Sequence, residues 1–331
     1  MLNCVQFGFY IMEKIPSISS EINKVEVNKF IFNNFNSISP YFYKLISEWM
    51  SDAYKIFKDL DKFLILIYLI NTDFEFFRRN NLNITYESFY KDKTLEINKI
   101  NLIQISKDLN IPKESVRRKI SELEKKGVIK KKGKKIFLDR SAYESQEPIN
   151  TLKNVSVLLS KFSEISKKKN LTIKSLDRTE VSKLIKNNFS FCWYQFFKFI
   201  FSYCYRWRKY FGDLEIMLIG ITIAFNSVTT ASIKLKGIES YIDKWREEIL
   251  QNNIRGINAM SISEITGIPR PTVIRKINYL IKLNMVEMDK NKLLNIKFNN
   301  KSYKETSELQ NETINDLGIF ITRTFNQINI N

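Results

Sequence analysis

Nineteen residues that occur twice constrain this chain more than any other feature. Residues 105–123 read ISKDLNIPKESVRRKISEL and residues 262–280 read ISEITGIPRPTVIRKINYL. Nine positions are identical, among them Pro112/Pro269, Val116/Val273, Arg118/Arg275, Lys119/Lys276 and Ile120/Ile277. Each copy reads as a short helix, a tight turn and a second helix. The proline falls at the second helix's start, where a missing N–H costs little. On that helix Val116, Ile120 and Leu123 recur at 3.6-residue spacing and mark a buried face. The opposite face carries Glu114, Arg117, Arg118 and Ser121, with Lys113 and Ser115 at the N-terminal tip. In the second copy Pro271, Ile274, Arg275 and Asn278 take those places, with Arg270 and Thr272 at the tip. A helix anchored by one side and presenting Arg, Lys, Ser and Asn on the other suits the major groove of DNA.

The similarity continues upstream. Residues 26–35, EVNKFIFNNF, recur as residues 180–189, EVSKLIKNNF, with seven of ten identical at an offset of 154. The same offset runs without a gap through Phe42/Phe196, Asp59/Asp213, Leu64/Leu218 and Ile67/Ile221. After the variable stretches 72–99 and 226–256 it becomes 157 and carries through the helix-turn-helix. Convergence on one short motif does not extend over preceding helices, so the chain reads as an internal duplication. The expected layout is a lead-in over 1–25, a first repeat over 26–169, a linker over 170–179 and a second repeat over 180–331.

A hairpin pattern follows each motif. In the first repeat the helix-turn-helix occupies 102–126 and the hairpin 128–138, with Lys131, Lys132, Lys134 and Lys135 around its tip. In the second the motif occupies 261–283 and the hairpin 285–297, with Lys290 and Lys292 at its turn. An amphipathic helix then closes each repeat, over 149–166 and 305–326. Ser261 and Glu264 fit a capping box for the second motif's first helix.

Helix, turn, helix and hairpin with the core IP-[KR]-x-[ST]-V-x-R-K-I-x-x-L resemble the winged helix-turn-helix fold, and look most like MarR-type transcription regulators. The resemblance implies a mainly α fold with two tandem winged helix-turn-helix repeats. It also implies double-stranded DNA as partner, and outer helices that make a dimer interface. With both motifs in one chain, the expectation is a pseudo-two-fold single-chain dimer reading an asymmetric operator of two half-sites, alone or as a further homodimer. Arg118 and Arg275 are the candidates for guanine contact, with phosphate contact or a surface ion pair as the alternative. Ile274 could meet a thymine methyl or pack locally, and the hairpin lysines would hold phosphate, most of them in the first repeat. Tandem winged helices also occur in plasmid-type replication initiators, and other winged-helix modules bind protein, so both readings stay open.

The composition agrees with a polyanionic partner. Lys and Arg number 53 against 35 Asp and Glu, a formal charge of +18 and a pI near 9.6. Codon bias alone would spread that charge evenly, yet residues 113–140 hold 12 basic and 4 acidic side chains while residues 298–331 hold 3 and 4. The absence of histidine removes Ser-His-Asp and Cys-His catalysis and imidazole metal sites. Cys4, Cys192 and Cys204 lack CxxC spacing, and nine glycines make no phosphate-cradling loop. The expectations are therefore no enzyme, no cofactor, no metal and a reducing cytoplasm. The longest apolar run, near 216–225, is about half of what a bilayer needs, so no membrane is expected as partner. Aromatics such as Trp49, Phe57, Trp193, Phe196 and Trp207 read as packing between helices first, and as the lining of an effector pocket second.

Overall fold

Local capping chemistry sets the helix boundaries in the computed structural model, which describes residues 21–97, 99–142, 147–172, 174–234, 255–297 and 300–330. Cys4, most of the lead-in and residues 235–254 of the second variable stretch lie outside the described residues. The Asn23 side chain accepts from the Val25 N–H at 2.7 Å and opens α1 (Lys24–Asn33). Then come α2 (Phe35–Phe57) and α3 (Leu60–Arg79), separated by Lys58 in the left-handed region at φ 53°. Pro40 lies one turn inside α2 rather than at its start. There it removes the bond its N–H would make to the Asn36 carbonyl, and its ring crowds that carbonyl.

After α3 the chain makes α4 (Tyr86–Lys91), β1 (Thr94–Ile97), α5 (Leu102–Leu109) and α6 (Lys113–Lys125). The hairpin of β2 (Ile129–Lys132) and β3 (Lys135–Asp139) follows, then a 3-10 turn over Arg140–Ala142 and α7 (Ile149–Lys168). The second half gives α8 (Arg178–Asn187), α9 (Phe189–Phe211), α10 (Leu214–Lys234), α11 (Ala259–Thr266) and α12 (Arg270–Lys282). It ends with β4 (Val286–Met288), β5 (Leu294–Ile296) and α13 (Asn300–Ile330). The chain is mainly helical. Both bounds of α8 and α9 lie 154 residues after those of α1 and α2, and both bounds of α11 and α12 lie 157 after those of α5 and α6.

The first hairpin is wider than its sequence pattern implied. β1 adds a third antiparallel strand beside β3, pairing Leu95 with Leu138, so the order is β1-β3-β2. In the second half Ile257 makes a single bridge to Leu294 beside the β4–β5 pair.

The core lies between the halves. α2 packs against α10 and α3 against α9, while α1 packs against α13 and α7 against α8. The first two contacts interchange on shifting by 154, and the second two match by the order of the elements along each half. Trp49 meets Phe196 with ring centroids 6.4 Å apart, and Phe42 meets Tyr203 at 6.0 Å. Ser47 meets Thr222 at 3.4 Å between hydroxyl oxygens, and Tyr68 meets Phe201 at 5.7 Å between rings. Phe42, Phe74, Phe162, Phe189, Phe196 and Phe320 are among the largest fully buried side chains. Each contributes about 1.5–3 kcal/mol by leaving water, and the part covered by rings of the other half, as Trp49 covers Phe196 and Phe189 covers Phe74, is lost to a half on its own.

Among the described residues no single helix is long and apolar enough to cross a membrane. Phe189–Phe211 and Leu214–Thr230 reach that hydropathy only as a pair bent by 102°.

Candidate nucleic-acid interface

The two helix pairs in which a helix-turn-helix was expected, α5–α6 and α11–α12, are built alike from different residues. Asn101 caps α5 by accepting from the Gln104 N–H at 3.1 Å, and Asn258 caps α11 by accepting from the Ser261 N–H at 2.9 Å. The capping box expected at Ser261 and Glu264 is therefore not the helix start. The cap falls three residues earlier, and Ser261 supplies a backbone donor instead. α5 ends on Asn110 at φ 52° and α11 on Gly267 at φ 74°, a left-handed backbone that asparagine tolerates and glycine adopts freely.

α6 is seated by Val116, Ile120 and Leu123 against α3, and α12 by Val273, Ile277 and Leu280 against α10. The face turned away from these contacts is open on both. Lys113, Glu114, Arg117, Arg118 and Ser121 are exposed and Ser115 is half-buried. On α12, Arg270, Pro271, Ile274, Arg275 and Asn278 are exposed and Thr272 is half-buried.

The two faces differ in charge state more than in shape. Arg117 forms an ion pair with Glu114 at 2.8 Å, and Arg118 Nε stands 4.0 Å from Glu122. Arg275 has no ion-pair partner among the described residues, because Pro271 and Tyr279 occupy the places of Glu114 and Glu122. Apolar side chains take over on the second unit. Ile265, Ile274, Tyr279 and Met288 are each 40–50% exposed, where the first unit has Asp108, Arg117, Glu122 and Lys131.

The basic hairpin is also partly neutralised from within. Lys130 pairs with Asp139 at 2.6 Å, Lys131 with Glu124 at 2.7 Å and Lys135 with Glu96 at 2.9 Å. The Lys130 ammonium and the Ser141 hydroxyl hold the Asp139 carboxyl down at about 2. Lys132 lies 5.9 Å from the Phe137 ring centre, and Lys134 has no ion-pair partner among the described residues. Lys290 and Lys292 are exposed in the β4–β5 turn, which Asp289 closes by accepting from the Asn291 and Leu293 N–H groups at 2.8 Å each. The expected surplus of attraction in the first repeat thus narrows. Of the candidate contact residues, the cations without an ion pair are Lys113, Lys132 and Lys134 in the first repeat, against Arg270, Arg275, Lys290 and Lys292 in the second, among the described residues.

Reading the sequence missed the internal counter-charges Glu96, Glu124 and Asp139, which come from β1, the end of α6 and the end of β3. It also left Lys119 and Lys276 without a role. They are buried at 8% and 7% exposure, and they bind carboxylates of the long apolar helices. Their identity in both copies, alongside Asp59/Asp213, was the signal available.

Two cavities occupy matching places. One of about 460 Å³ lies among Trp49, Phe57, Phe63 and Ile67, with Asp52, Lys55 and Glu147 at its edge. The other, about 100 Å³, lies among Tyr203, Phe211, Met217 and Ile221, each 154 residues on. Burial pushes the Cys204 thiol of α9 up to about 12 and that of Cys192 up as well, so both are inert. Compared with models of known protein families, with curated proteins and with solved structures, the chain matches none.

Proposed function

We propose that the chain is a DNA-binding transcription regulator of MarR-like, winged helix-turn-helix character. In this reading an internal duplication made a single-chain pseudo-dimer that grips an operator of two unequal half-sites. The observation that carries the reading is the pair of open helix faces, α6 and α12, set at matching registers on the same scaffold and rich in unpaired or exchangeable cations. Support also comes from contacts between halves that interchange on a shift of 154, as in an isologous dimer where residue i meets j and j meets i. α6 and α12 enter successive major grooves, about 34 Å apart along one face of the duplex. Lys132, Lys134, Lys290 and Lys292 meet phosphate at the flanks. The larger cavity offers a site for a small-molecule effector beside α2 and α3.

Selection of bound duplexes from a random pool, followed by mobility shift of the winner, tests this. The account expects one preferred site with two unequal halves. No shift at about 0.15 M salt, where non-specific binding already gives measurable affinity, would refute it.

The exposed Ile265, Ile274, Tyr279 and Met288 favour one second reading, in which the second unit docks on protein. In that case Arg275→Ala and Ile274→Ala leave DNA affinity unchanged.

A further inference from the structure

The only cations of α6 and α12 withdrawn from solvent are Lys119 and Lys276, among the described residues. Each belongs to the repeated Arg-Lys-Ile triplet, whose arginine faces out and whose lysine faces in. The Lys119 ammonium binds Asp59, the residue that caps α3, and stands 3.6 Å from Asp61. The Lys276 ammonium binds Asp213, which precedes α10, and stands 3.1 Å from Glu215. The two oxygens of each first carboxylate divide the work. Asp59 Oδ1 accepts from the Asp61 and Lys62 N–H groups while Oδ2 takes Lys119. Asp213 Oδ1 accepts from the Glu215 N–H while Oδ2 takes Lys276.

The second carboxylate of each set reaches the other half of the molecule. Asp61 binds the Arg208 guanidinium of α9, and the Tyr54 phenol of α2 is raised above the usual tyrosine range by burial and by the nearby Glu215 carboxylate. Tyr54 and Arg208 are themselves 154 residues apart. From α6 a continuous line of polar contacts therefore runs through the start of α3 into α9 of the other half, while from α12 the line runs through Asp213 to Glu215, the carboxylate beside Tyr54 of the other half.

Such lines are poor devices for stability. Withdrawing an ammonium from water and half-burying the two carboxylates that meet it is costly, and a methionine or leucine would fill the lysine's space without that cost. What directed buried charges supply is geometry, because only one arrangement satisfies every partner.

We propose that Lys119 and Lys276 are positioning residues that fix how far apart, and at what angle, the two DNA-facing helices are held, and so decide the half-site spacing the chain accepts. This rests on the DNA-binding reading above. The two lines are unequal. The first sets two cations, Lys119 and Arg208, against two carboxylates, and a further pair, Lys62–Glu122, joins α3 to α6. The second has one cation for two carboxylates and ends on a neutral phenol. Ile216 and Tyr279 stand where Lys62 and Glu122 would make the extra tie. The first helix is the fixed head, and the second is the one that yields when its lysine is lost.

The test uses the full chain with spin labels at Lys125→Cys and Lys282→Cys, exposed and equivalent positions on α6 and α12. Cys4→Ser is added, and Cys192 and Cys204 are left in place because they are buried. Without DNA the parent gives one narrow inter-label distance. Lys276→Met widens it, Lys119→Met widens it less, and Lys276→Arg restores the narrow peak. On a duplex selected by the parent chain, inserting two base pairs between half-sites costs the parent about tenfold or more in affinity and Lys276→Met about threefold or less. Should Lys276→Met not fold, Glu215→Gln cuts the same line while leaving Lys276 paired to Asp213, with the same two expectations. A folded Lys276→Met or Glu215→Gln chain with the parent's narrow distance and unchanged spacing penalty overturns the proposal. Absence of any duplex binding by the parent overturns the DNA reading instead, and the label distances still report on the lysines.

Discussion

The paired lysines of the first hairpin give a quantitative prediction about salt. Five lysines crowd residues 130–135, but Lys130, Lys131 and Lys135 are held by Asp139, Glu124 and Glu96. Each phosphate neutralised by a free cation contributes about 0.9 to the slope of log K against log salt. Lys132→Ala with Lys134→Ala should therefore flatten the slope by about 1.8 if both side chains meet the duplex. Glu124→Gln with Glu96→Gln releases Lys131 and Lys135 and removes two anions that flank the hairpin, steepening the slope by up to about 1.8. Between about 50 and 200 mM salt, a change of that size alters the loss of affinity roughly tenfold. Folded stability should hardly move, since exposed pairs of this kind contribute about 0–1 kcal/mol. Anisotropy titrations of a labelled duplex at four salt concentrations, with thermal unfolding of each variant as control, supply both numbers. If the double alanine variant keeps the parent's slope, the hairpin does not lie on phosphate and the reasoning fails.

Other predictions concern the core, acid stability and sequence discrimination. Phe196→Ala, which empties a fully buried site touching Trp49 of the other half, should cost about 3–5 kcal/mol. It should lower one cooperative denaturation transition rather than split it into two. Asp139 titrates at about 2 in the folded chain, below an unfolded aspartate. Its contribution is complete above the unfolded value of about 3.9 and is lost as pH falls toward 2. Asp139→Asn should accordingly destabilise at neutral pH and weaken the fall in melting temperature on acidification, as read by circular dichroism. Arg275→Ala should relax discrimination at one base pair by about 1–3 kcal/mol in competition binding, whereas uniform weakening on every duplex would assign it to phosphate.

The helices of this fold were legible because their hydrophobic spacing and caps agree with each other. α6 and α12 fall where Val116, Ile120, Leu123 and their counterparts place them, and α9 closes at Gly212. Pairing between distant segments was less so. β1 is a four-residue strand with only Ile97 buried, too short for alternation to mark it, and it becomes a strand by pairing with β3. The outward side chains of α6 and α12 followed from helical period alone, as did their exposure. Their effective charge did not, because Glu96 lies 39 residues from Lys135 and nothing local joins them. Lys119 and Lys276 stood out in the sequence only as identical positions of the two copies. Only the packing of α6 on α3, and of α12 on α10, brings a carboxylate to each.

One chain gripping both halves of its site is the central claim, and the mass of the protein–DNA complex tests it most directly. With a duplex carrying the full selected site, sedimentation or native mass measurement should find a single 39.3 kDa chain per duplex, with protection over both half-sites. Two chains per duplex, or one chain protecting a single half-site, would contradict the account.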